Sequence, residues 1–70
     1  MKTFLIFRQK CLDTLCCAVP EDFAVPSFLT PHNWEFSGIV ETGNLPDGFR
    51  FDWARSLSQL NGFYLYHSIP

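Results

Sequence analysis

The chain has 70 residues, 47% of them apolar, including eight Phe, two Trp and two Tyr, and a net charge of −2. This length allows one domain over residues 1–70 and excludes a second; a domain so small buries only about 60% of its unfolded surface, so twelve aromatics are more than its interior readily hides. Five basic residues against seven acidic ones provide neither the electrostatic footprint of a nucleic-acid binder nor a polybasic membrane anchor.

From the amino terminus, residues 2–9 (KTFLIFRQ) are rich in aromatic and β-branched types and read as a first strand. Their apolar run of about five residues falls short of the roughly 7–15 of a secretory signal. No window approaches the ~20 apolar residues of a membrane helix. A cytoplasmic protein with reduced cysteines is the expectation.

The segment KCLD at 10–13 reads as a tight turn into TLCCAV at 14–19, ended by Pro20, so that residues 2–19 make a hairpin with Phe7 opposite Cys16. The competing reading is a helix over 7–19, with Phe7, Cys11, Leu15 and Val19 at four-residue spacing. Residues 20–33 carry three prolines and are expected to form a structured traverse pinned by Phe23, Val25, Phe28 and Leu29. WEFSGIVE at 34–41 sets Trp34, Phe36, Gly38 and Val40 against Glu35, Ser37, Ile39 and Glu41, the period-two pattern of a strand. Gly38 in its middle signals a bulge or a close backbone approach.

Pro46-Asp47-Gly48 matches a turn, and Asp47 or Asp52 is placed to cap a following helix over about 49–61. Phe49, Trp53, Leu57 and Leu60 supply its apolar stripe, and Asn61-Gly62 its left-handed stop. FYLYHSI at 63–69 closes the chain as a strand, with Phe63, Leu65, His67 and Ile69 on one face and Tyr64, Tyr66 and Ser68 on the other. The predicted fold is α+β, a small sheet of about four strands in the order β-β-β-α-β with one helix on one face. Were strands 34–41 and 63–69 parallel neighbours, the helix would make a right-handed crossover.

All three cysteines lie within CLDTLCC at 11–17. Structural zinc wants four Cys or His ligands, commonly with a C-x2–4-C pair, and Cys11-x4-Cys16-Cys17 lacks one; adjacent Cys16 and Cys17 on a strand point to opposite faces. A redox pair wants a thiol beside a cation or a helix N-terminus. The reading adopted is that Cys16 and Cys17 are small core hydrophobes, with no metal and no cofactor. Ser37, Ser68, His32, His67, Asp22 and Asp47 contain the residue types of a catalytic triad, but no elbow motif exposes a serine. No loop has phosphate-cradling glycine spacing. The chain is therefore read as a non-enzyme.

One helix covers one face of a sheet, and the first two strands are apolar on both. Phe4, Ile6, Tyr64 and Tyr66, with Arg8 and Lys2 as a polar rim, are the expected partner-binding surface. The functional expectation is a small protein-binding module, an inhibitor or adaptor acting by occlusion or bridging, of a size common among inhibitors encoded by phages and mobile elements. The alternative is a homodimeric structural protein, and behind it a thiol- or metal-dependent enzyme. The partner is another protein or a second copy, not nucleic acid and not a membrane.

Overall fold

A computed structural model describes residues 3–12, 14–41, 43, 45 and 48–68. It is an α+β fold: strands β1 (Thr3–Gln9), β2 (Leu15–Pro20) and β3 (Trp34–Glu41), helix α1 (Phe51–Asn61) and strand β4 (Tyr64–His67). The four strands form one antiparallel sheet in the order β3-β1-β2-β4. Strands β3 and β4 are thus opposite edges rather than parallel neighbours, and the helix lies in a connection that crosses the two central strands.

The hairpin reading of residues 2–19 holds, but its register is one residue away from the expected one. Phe7 stands opposite Cys17, and Arg8 opposite Cys16. A two-residue turn at Cys11-Leu12 would have given the expected pairing, yet such turns need residues that tolerate positive φ, typically Asn-Gly. The chain instead closes a longer connection, with the Leu15 N–H donating to the Leu12 carbonyl at 3.0 Å. Because side chains alternate with period two, the slip exchanges the faces of β2 relative to β1. Phe4, Ile6, Cys16 and Ala18 now share the helix-covered face, while Leu5, Phe7, Cys17 and Val19 share the other.

The helix rests on β4 and β2. Its sheet-facing residues are Ala54 and Ser58, both buried, flanked by the partly buried Phe51 and Leu57. The expected stripe is corrected at three positions: Phe49 precedes the helix, Trp53 is 56% exposed and Leu60 is 80% exposed. Small side chains let a helix approach a sheet closely, and hydropathy patterns underweight them. Phe49 is nevertheless central, with its ring edge-on to Phe4 at 5.4 Å, Tyr64 at 5.4 Å and Tyr66 at 5.1 Å. Gly62, at φ 87°, stops the helix and donates its N–H to the Ser58 carbonyl. The helix begins after Arg50, which is extended and makes no side-chain cap; Asp52 sits in the first turn, where a carboxylate suits the positive end of the helix. The proposed cap Asp47, the turn at Pro46, the rim residue Lys2 and Ile69 lie outside the described residues.

The traverse of residues 21–33 starts at the end of β2 and finishes beside Lys10, whose N–H donates to the Asn33 carbonyl at 2.8 Å. Phe23 and Leu29 pack against Cys17, Val19 and Trp34 on the second face. Phe28 meets Trp34 at 6.0 Å and Phe63 at 5.0 Å. Val25 is 45% exposed and is not among the residues packed on this cluster. The loop therefore runs diagonally over this face and leaves its two remaining corners open.

The packing sets the energetic ranking of the aromatics. Phe49→Ala should lower the unfolding free energy by about 3–5 kcal/mol. Trp53→Ala, which loses mainly an exposed stack under the Arg50 guanidinium, should cost about 1 kcal/mol or less. Urea titrations followed by circular dichroism measure both, and a Trp53 effect equal to that of Phe49 would contradict this packing.

Candidate functional site

The five residues expected to form a binding surface do share one face, but it is the covered one. Phe4, Ile6, Tyr64 and Tyr66 are buried in a single cluster with Cys16, Ala18, Val40, Phe49 and Ala54. Tyr64 and Tyr66 stack with centroids 5.5 Å apart. Arg8 lies on the same face toward the uncovered end, where it is exposed and meets Glu35 at 3.3 Å. Phe4, Tyr64 and Tyr66 are covered by the ring of Phe49, and Ile6 is buried in the same cluster, so of the five only Arg8 is exposed.

The exposed apolar surface is on the opposite face, and a bulge in β3 creates it. Ile6 pairs with Gly38 but Phe7 pairs with Phe36, leaving Ser37 as the extra residue. The insertion shifts the alternation by one, so that Phe36 and Ile39, assigned to opposite faces by simple period two, come to the same side. Each is 59% exposed. Phe36 lies edge-on to Phe7 at 5.7 Å, and Ile39 stands opposite Leu5. Phe7 and Leu5 are themselves only partly buried. Gly38, with φ 146°, was the signal for this patch. It marks the bulge in the sequence, and the patch follows once the phase of the strand is shifted there.

The cysteines divide as adjacent strand residues should. Cys16 belongs to the helix-side cluster, Cys17 to the loop-side cluster, and Cys11 is exposed. Among the described residues, no three Cys, His, Asp or Glu side chains gather as metal ligands. Burial pushes the Cys17 thiol from its ordinary 9.0 up to about 12, with neighbouring Cys16 adding to the effect. Burial also raises Cys16, partly offset by a hydrogen bond from the Tyr66 hydroxyl and by the charge of Arg8. Tyr66 is raised as well, first by burial and then by Cys16. His32 and His67 are both exposed. Among the described residues no helix is long and apolar enough to cross a membrane.

Compared with protein-family models, curated proteins and solved structures, the chain matches none of them.

The thiol environments predict one fast-reacting cysteine, Cys11, in the native protein, with Cys16 and Cys17 reacting only on unfolding; a chromogenic disulfide reagent counts them. A native count of three fast thiols would refute the burial. For Cys17, the folded state holds its proton more tightly than the unfolded chain. Its contribution to stability is therefore complete below pH 9 and is lost as the pH rises from 9 toward about 12. Denaturation midpoints measured from pH 7 to beyond pH 9 should fall only in the upper part of that range.

Proposed function

We propose that this chain is a protein-binding module, an inhibitor or adaptor that acts by covering a surface of another protein, and that it docks through Leu5, Phe7, Phe36 and Ile39. The observation that supports the reading is the exposure of Phe36 and Ile39 on one face of an edge strand, 59% each, beside two further half-buried apolar side chains. Isolated exposed hydrophobics are ordinary, but a contiguous apolar group on a small domain suits a docking surface. Strand β3 also has a free edge, which a partner can approach along its backbone as well as over its side chains. Glu41, in register with Thr3 and in phase with Leu5 and Ile39, is exposed on this face and would form part of a polar margin. Three unpaired thiols suit action in a reducing, intracellular setting.

Replacing Phe36 or Ile39 with Glu places a charge where the partner's apolar surface would be. Because both side chains are largely exposed, each variant should keep wild-type circular dichroism and lose no more than about 1 kcal/mol of stability. Affinity for a protein captured from lysate by the tagged wild-type chain should fall about 30-fold or more, as for a central interface residue. Light scattering coupled to size-exclusion chromatography distinguishes the partner: a wild-type dimer that becomes a folded monomer in the variants identifies a second copy. Undiminished binding by both folded variants would remove this face from consideration.

A further inference from the structure

We propose that a cavity on the helix side of the sheet binds a small monocarboxylate with a short apolar tail, held by Arg8 over a floor of Ile6, Cys16, Val40 and Tyr66. The cavity has a volume of about 220 Å³. Its floor is on the opposite face of the sheet from the docking surface, and Ile39 of β3 borders both.

Its origin is local. The helix rests on β4 and β2, so the β1–β3 half of that face is covered less closely. Gly38 stands opposite Ile6 there and contributes no side chain; a Cβ built on it would meet nothing within 4 Å. The bulge thus leaves a gap in the layer of side chains, and the gap is the cavity.

The lining defines the ligand. A space of about 150 Å³ already admits benzene, whereas drug-sized ligands occupy roughly 300 Å³ or more, so this cavity suits a molecule of intermediate size. Ile6, Val40 and Cys16 provide apolar surface for a tail. Arg8 is the cationic side chain that lines the cavity, and among the described residues no carboxylate lines it. The Cys16 thiol and Tyr66 phenol, both held in their neutral forms at pH 7, add no opposing negative charge. Ser37 and Ser68 also line the space, and their hydroxyls can donate to a second carboxylate oxygen. The guanidinium spends one nitrogen on Glu35, at 3.3 Å, and keeps further N–H donors for an anion.

Titration with hexanoate, followed by amide NMR, tests the site, with 1-hexanol as the uncharged control. The expected result is saturable shifts at Ile6, Cys16, Gly38 and Val40 with hexanoate and none with hexanol at equal concentration. Arg8→Gln should weaken binding about tenfold, the loss of one charge-assisted contact. Glu35→Gln, which keeps Arg8 and removes its competing carboxylate, should tighten it. The proposal is overturned by the absence of saturable shifts, by equal shifts with hexanol, or by unchanged affinity in either variant.

Discussion

A sheet whose two central strands are apolar on both faces must be covered twice, and the described residues supply one helix and one loop with which to do it. Everything else in the fold follows from how that cover is distributed. The strand order puts β3 and β4 at opposite edges, so the segment joining them has to cross the sheet on one side. That crossing brings Phe49 and the helix over the Phe4 face. The traverse between β2 and β3 begins at one end of a central strand and finishes at the other end of the sheet on the β3 edge, so its route is a diagonal. Two partial covers on a four-stranded sheet leave corners open, and the apolar side chains at those corners stay in contact with water.

The cover on the helix side depends less on the helix than on the residue before it. Phe49 contacts three aromatic rings from two strands, each in the edge-to-face geometry that adds roughly 0.5–1.5 kcal/mol beyond area burial. The helix contributes small residues at its contact, Ala54 and Ser58, and with them comes a cost: the Ser58 hydroxyl is buried and makes no hydrogen bond to the described protein groups. A helix of eleven residues is too short to be stable alone in water. It is held at one end by Phe49 packed on the sheet and at the other by Gly62, which returns the chain into β4.

Most of the elements could be read from the sequence, because period-two alternation and the Asn61-Gly62 stop are local signals. The phases could not. The β1–β2 register turns on the length of a connection, Lys10 to Thr14, which contains no Asn-Gly or Asp-Gly pair to fix a two-residue turn. The β3 alternation changes phase at Ser37, and period-two reasoning carries Phe36 to the wrong side even when Gly38 is recognised as a bulge. The helix stripe misleads for a different reason. Trp53 and Leu60 are hydrophobic positions at helical spacing, yet the residues the helix buries against the sheet are the small Ala54 and Ser58, with Phe51 and Leu57 beside them. The expected binding residues therefore formed one group, as the pattern implied, but on the face that the chain covers itself.

The bulge connects the two surfaces that remain. A φ of 146° at Gly38 is a conformation that side-chain-bearing residues rarely adopt, so the position is closed to substitution by backbone strain even though open space surrounds it. Without the inserted residue the strand would continue its regular pairing from Ile6–Gly38, setting Ser37 opposite Phe7 and Phe36 opposite Arg8 on the helix side. Such a strand would have filled the cavity on the helix side and left Ile39 without its aromatic neighbour on the other. One inserted residue thus removes a side chain from one face and adds one to the opposite face.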